Sequence, residues 1–240
     1  MTHSARPQQV RVQCFNISRD GIGAGEAQSF TQPFGLADAG ELFAWVGATA
    51  DWINRDRCGC ELPARAHASR AELTSPPDPG GTRGLDNYIA RDFTRNIGAE
   101  IMGRNKFGPQ RGPWPDHNWQ GWWGDEPPFH TPVFVLTHHA RPSFTLSDTT
   151  FHFIDTTPHD AVRQAKGAAN GQDVRIGGGV TTIREFLEAD LIDEMHIAVA
   201  PCELGSGLRL WDSPEELTDR FHLERVLSPS GVVHHFFWRR

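Results

Sequence analysis

This sequence predicts an α/β domain with a mostly parallel central sheet and a C-terminal antiparallel hairpin, on three observations. From Ile97 onward, short apolar runs alternate with amphipathic stretches, the pattern of strands joined by covering helices. Residues 221–240 hold two β-rich runs around a Pro-Ser-Gly turn, which reads as a hairpin. No internal repeat and no linker with a core on each side appears, so one domain over 1–240 is expected.

Taken in order, VRVQCFNI (Val10 to Ile17) is the first strand, and SRDGIGAG (Ser18 to Gly25) is the loop after it. Leu42, Phe43, Val46 and Ile53 fall at near-helical spacing and predict one helix over 37–53. Residues from about 54 to 83 are polar and rich in Pro, Gly and Arg, an insertion within the domain. GAEIMG is a short strand running into GRNKFGP; PVFVLT, Pro132 to Thr137, is a buried strand and TFHFID another. Thr157, Pro158 and Asp160 supply a cap, a first-turn proline and an acid, and predict a helix to about Ala169. DVRIGG, VTTIREFLEA and MHIAVAP then read as strand, helix and strand before the closing hairpin.

Bulk composition removes several function classes. Thirty acidic side chains against 23 basic ones give a net charge of −7, whereas nucleic acid demands a basic face. No apolar run reaches membrane length. The N-terminus lacks the apolar core and cleavage site of a secretory signal, so a cytoplasmic location is expected. Cys14, Cys58, Cys60 and Cys202 are scattered and read as reduced thiols. The twelve histidines are dispersed too. The adjacent pairs His138–His139 and His234–His235 point to opposite faces in a strand, and Cys58, Cys60 and His67 lack an evident fourth ligand, so no metal is expected.

Three strand ends carry the chemistry. RIGGGVTT places Gly177, Gly178 and Gly179 directly before a helix marked by Val180, Ile183 and Leu187. Such glycines are either a tight turn or a cradle in which bare backbone and a helix N-terminus meet a phosphate. Thr181 and Thr182 would add hydroxyls. The spacing matches neither the G-x-G-x-x-G fingerprint nor a P-loop. GAEIMGRNKFG repeats strand, glycine and helix start, with Arg104 and Lys106 beside it, and LTHHAR ends a strand with Thr137, His138, His139 and Arg141. Ligands of open α/β sheets bind beyond the carboxyl ends of strands, and these three ends together suit a dinucleotide with an extra phosphate.

SRDGIGAG, EIMGRNKFG, FVLTHHAR and RIGGGVTTIREFLEADLIDEMHIAVAPCELGSGLRLW, in that order, resemble the dihydrofolate-reductase-like family. The closest branch is the C-terminal reductase domain of the riboflavin-biosynthesis deaminase–reductase, and the likeness spans the chain except about 54–83. The resemblance implies a three-layer α/β/α sandwich binding NADPH and forming a homodimer. It implies that Gly21, Ile22 and Gly23 belong to a loop over the nicotinamide, and that Gly103, Arg104 and Asn105 begin a helix facing the phosphates. Thr137, His138, His139 and Arg141 would surround the 2′-phosphate; Gly178, Gly179, Val180 and Thr181 would hold the pyrophosphate. The deaminase half with its zinc signature is absent, and neither Glu41 nor Asp51 aligns convincingly with the substrate acid of folate reductases.

Hydride transfer needs a proton donor beside the cofactor, and Asp20 is the candidate; it reads equally as a turn residue before Gly21. GPWPDHNWQGWWGDEPPFHTP holds Trp114, Trp119, Trp122, Trp123, Phe129 and His130. Trp114, Trp122, Phe129 and His130 are the candidate wall for a planar substrate, with Asp125 as a possible companion; the other reading is a loop pinned by its own aromatics. The expected activity is NADPH-dependent reduction of a small planar, pterin- or pyrimidine-like substrate. The alternative is a dinucleotide-binding protein without turnover.

Overall fold

The computed structural model describes residues 6–36, 40–55 and 81–240. Among the described residues, nine strands form one sheet in the order β10-β11-β8-β1-β7-β3-β4-β6-β5. They are β1 (Val10–Ile17), β3 (Ile97–Gly103), β4 (Val133–Leu136), β5 (Phe144–Leu146), β6 (Thr149–Ile154), β7 (Asp173–Gly178), β8 (Glu194–Val199), β10 (Phe221–Leu227) and β11 (Val233–Arg239). From β8 across to β6 every pairing is parallel. The hairpin β10–β11 closes one edge antiparallel, and β5 closes the other. A separate ribbon pairs β2 (Ile22–Ala24) with β9 (Leu208–Arg209).

Strand alternation assigns the two faces. Val12, Ile101, Ile176 and Ile197 share one apolar core with Ala161 and Ala165 of α5 (Pro158–Ala168) and with Ile183 and Phe186 of α6 (Val180–Glu188). Ala198, next to Ile197, packs instead with Trp45 of α1 (Gly40–Gly47) and Ile89 of α3 (Leu85–Ala90). Met102, next to Ile101, packs with Phe107 of α4 (Arg104–Phe107) and with Phe129 at the end of the tryptophan-rich loop. The third layer is therefore helix at one end of the sheet and irregular aromatic chain at the other.

Local chemistry explains the element ends. Thr157 caps α5, its hydroxyl accepting from the Asp160 N–H at 3.3 Å, with Pro158 in the first turn. The single helix expected over 37–53 is two, α1 and α2 (Ala50–Arg55). Between them the backbone turns to Thr82 instead: Thr82 N–H donates to Ala48 C=O at 2.8 Å and Ala50 N–H to Thr82 C=O at 2.9 Å. Residues 37–39 and most of the 54–83 insertion lie outside the described residues. The sequence reading had not separated α3, β5 or the β2–β9 ribbon.

On the side that carries α1 and α3 the sheet is polar, though buried. Arg11, Gln13, Asn16, Glu100, Asp173, Arg175 and His196 are all 9% exposed or less, and each alternates with a residue of the α5–α6 core. A bulge between Val12 and Phe15, where Cys14 has φ +50°, lets Gln13 and Cys14 share that face.

Candidate functional site

The three strand ends singled out by sequence converge on one cavity of about 390 Å³. Gly103, Arg104 and Asn105 line it from the end of β3, Thr137, His138 and His139 from β4, and Gly179, Val180 and Thr181 from the start of α6. A fourth end contributes Ile154, Asp155 and Thr156 where β6 finishes, and Arg111, Leu208 and the acidic Glu185 are among the rest of the wall.

The three glycines do not share one cause. A Cβ on Gly177 would lie 2.1 Å from Glu100 Oε1 and 2.6 Å from Lys106 Nζ, and one on Gly178 would lie 2.7 Å from the Phe15 ring. Gly178 also has φ +101°, the region glycine favours. Both are set by packing. A Cβ on Gly179 would meet nothing within 4 Å. Gly179 caps α6 with no side-chain bond, and the first intrahelical bond is Ile183 N–H to Gly179 C=O at 3.1 Å. The free N–H groups of the first turn therefore face open space that carries the positive end of the helix dipole. Gly103 is glycine for contact, since its Cβ would fall 2.3 Å from Thr182 Oγ1.

Arg104 adds positive charge at the same cavity. Its Nη1 donates to Gly112 C=O at 2.6 Å and its guanidinium stacks 3.8 Å over the Trp114 ring, while buried Nε and Nη2 have no partner among the described residues. Burial and the neighbouring Arg111 cation both lower its pKa, so an anion here would relieve repulsion and satisfy two orphan donors. His138 is 93% exposed at its side chain and pairs with Asp155 at 3.0 Å. Thr137 spends its hydroxyl on the turn, accepting from His139 N–H at 3.1 Å. Arg111 and the β6 end were missed by the sequence reading, because neither follows a glycine or a basic cluster.

Other expected members sit elsewhere. Arg141 does not line the cavity: its Nη1 donates to Trp119 C=O at 2.9 Å and Nη2 to His117 C=O at 2.7 Å, with the guanidinium 4.9 Å over Phe153. It clamps the tryptophan loop. Asp20 accepts from the Ser18 hydroxyl and from Leu204 N–H (3.1 Å) and Gly205 N–H (2.8 Å). Burial pushes its pKa up, but those donors outweigh it and the net shift is downward, so Asp20 is an ionised turn anchor and a poor proton donor. Gly21, Ile22 and Gly23 run along the β2–β9 ribbon: Gly21 C=O accepts from Leu210 N–H at 2.8 Å, and a Cβ on Gly23 would lie 2.7 Å from Val180. They flank the cavity through Val180 and Leu208.

The four wall candidates do not face one pocket, and one of them is core. Phe129 is 4% exposed among Trp123, Phe151 and Met102. Trp114 backs Arg104 and donates to His139 C=O, and Trp122 packs edge-on against Trp119 at 4.7 Å. His130, with φ +51°, pairs with Asp148 at 2.8 Å before β4 begins, away from the strand ends that form the cavity. Among the described residues no cluster of His, Cys, Asp or Glu is arranged to hold a metal ion, and Cys58, Cys60 and His67 lie outside them. No described helix is long and apolar enough to cross a membrane.

The parallel sheet with its antiparallel hairpin edge and its cavity at the strand ends define a dihydrofolate-reductase-like α/β domain. A family model described as the RibD C-terminal domain matches residues 63–231, and the chain belongs to that family. Among solved structures, a "Putative riboflavin biosynthesis protein" from Shewanella sp. PV-4 is 18% identical, with a TM-score of 0.51 over 98% of this chain and 99% of that one. A pyrimidine reductase-like protein from Corynebacterium diphtheriae is 15% identical, with a TM-score of 0.42 over 98% and 93% of the two chains. Acinetobacter baumannii RibD is 14% identical with a TM-score of 0.45; the match covers 98% of this chain and 58% of that one. A search of curated proteins finds no match. Family membership points to a reductase.

Proposed function

We propose that this chain is an NADPH-dependent reductase delivering hydride to a small planar, pyrimidine- or pterin-like heterocycle. One observation carries the reading: the uncapped start of α6, the open space at Gly179 and the two unpartnered donors of Arg104 belong to one cavity at the carboxyl ends of the strands. That combination suits a phosphate-bearing nucleotide. Gly178, Gly179, Val180 and Thr181 would hold the pyrophosphate, and Arg104, Arg111, His138 and His139 the extra phosphate. Bound NADPH would supply the hydride; the chain's part is to bind, orient and exclude water.

Titration of NADPH into the purified protein, read by energy transfer from the tryptophans to the nicotinamide, tests it. Saturable binding is expected, and Arg104→Met should weaken NADPH at least tenfold more than NADH, the cost of one charged hydrogen-bonding partner. Equal losses would remove the extra-phosphate assignment. A dinucleotide-binding protein without turnover is the second reading, favoured by the commitment of Asp20 to the Leu204–Gly205 turn. NADPH binding without oxidation across a panel of oxo-pyrimidines, pterins, imines and quinones would select it.

A further inference from the structure

The polar face of the sheet holds a charged group outside the nucleotide cavity, beside Phe93 and Phe129. Glu100 on β3 and Arg175 on β7 pair at 2.9 Å (Oε2 to Nε), both essentially unexposed, and Arg175 also donates to Phe93 C=O at 2.6 Å. Lys106 reaches back from α4 to the same carboxylate, its Nζ 3.0 Å from Glu100 Oε1 and 2.8 Å from Gly177 C=O. Two cations thus share one anion, and among the described residues neither cation pairs with any other carboxylate. A buried group with one positive charge in excess is costly unless an anion or a polarised oxygen completes it.

The group also has bonding capacity to spare. An ammonium has three N–H bonds; Lys106 uses two, and 26% of its side chain remains exposed. Gln13 adds a second polar group with capacity to spare: it is 6% exposed and its Oε1 has no partner among the described residues. Arg11 on β1 is in register with Arg175 on the neighbouring β7, and Gln13, two residues further on where the β1 bulge begins, shares the Arg11 face, the one on which a Gly177 Cβ would meet Lys106 Nζ. Gly177 in turn stands two residues before Gly179, where the nucleotide cavity opens.

We propose that Lys106 and Gln13 form the substrate subsite of the reductase. The third Lys106 N–H takes an electronegative ring oxygen, and the Gln13 amide pairs with an adjacent ring N–H or C=O. The excess positive charge selects planar oxo-heterocycles that carry negative charge on oxygen, such as enolates and ionised imides, over cationic rings. The proposal rests on the reductase reading for its place in a reaction, but the subsite itself is testable without cofactor.

The probe is barbiturate, a planar oxo-pyrimidine anion at neutral pH, titrated by calorimetry into the full chain without NADPH. Wild type should bind it saturably. Lys106→Met should lose tenfold or more, as expected for one charged hydrogen bond, Gln13→Leu a smaller factor, and Lys106→Arg should retain most of the affinity. NADPH affinity, measured separately by energy transfer, should stay within threefold in all three variants. Wild-type binding that Lys106→Met and Gln13→Leu leave unchanged would overturn the subsite, as would no saturable barbiturate binding by folded wild type. Should Lys106→Met fail to fold, Gln13→Leu and Lys106→Arg decide alone. Failure of wild type to bind NADPH while barbiturate binding follows Lys106 would overturn the dinucleotide reading and leave the subsite standing.

Discussion

Thr181, exposed at the start of α6 and lining the cavity, separates fold from function by the sign of one charge. Thr181→Glu puts an anion at the positive end of the helix, which stabilises such helices by about 0.3–1 kcal/mol. The same carboxylate would repel a phosphate from the same space. A melting temperature unchanged or raised, together with at least a tenfold loss of NADPH affinity, is expected from thermal melts and energy-transfer titration. Undiminished affinity would mean that the phosphates lie elsewhere. Gly177→Ala should do the opposite: its Cβ falls on the Glu100–Lys106 contact, so denaturant melts should show destabilisation of about 1–3 kcal/mol, the range for overpacking. The run of glycines was visible in sequence, yet it could not show that Gly177 and Gly178 answer to packing and only Gly179 to open space. Those causes come from Glu100, Lys106 and Phe15, residues 71 to 163 positions away in the chain.

At the scale of elements, the aromatic loop and its clamp give a second separable pair. Arg141 binds two loop carbonyls and lies over Phe153 and Trp114. Arg141→Met should therefore destabilise the fold by about 2–4 kcal/mol, two charged hydrogen bonds less partial compensation by the apolar side chain. Limited proteolysis should cut first within residues 108–132, and the preference for NADPH over NADH should survive in the folded fraction. A lost preference with an intact loop would return Arg141 to the phosphate site. Sequence showed that LTHHAR ends a strand, which was enough to bring Thr137, His138 and His139 to the cavity. It did not show that the chain turns at His139, where Trp114 binds the carbonyl, and so carries Arg141 out of reach. The loop was readable as aromatic and irregular; that it serves as core for β3, β4 and β6 depends on Met102, Val133 and Phe151 meeting it from the sheet.

For the molecule as a whole, both faces of β1 are covered, and its polar face, with Arg11, Gln13 and Asn16, is buried. Burial of titratable groups on the two faces of the sheet sets how stability depends on pH. Cys14 N–H donates to His196 Nδ1 at 3.2 Å, which leaves the His196 proton on Nε2, 2.9 Å from His234 Nδ1. The His234 proton is then on Nε2, 2.9 Å from Asp86 Oδ1, and the chain is complete with both rings neutral. Burial, with His234 and His235 nearby, holds His196 well below the usual imidazole range. On the opposite face of β11, beside Phe237, burial and then Arg225 push His235 down to about 4. An imidazole with a depressed folded pKa stays neutral in the native state while the unfolded chain takes up a proton below its ordinary value of 6.5. Stability from these two groups is therefore full above that value and lost as pH falls from 6.5 toward 4, with about one extra proton bound by the unfolded chain per histidine. Glu100 contributes in a lower window: burial opposes its ionisation, but Arg175 and Lys106 hold its pKa below 4.5, so its share is lost only below that value. Melts in a pH series should show the melting temperature falling between pH 7 and 5, before the carboxylates titrate. His235→Gln should flatten that limb, because a neutral amide removes one of the protons taken up on unfolding. A melting temperature level down to pH 4.5, or an equal slope in the variant, would mean that these imidazoles are not held neutral by burial.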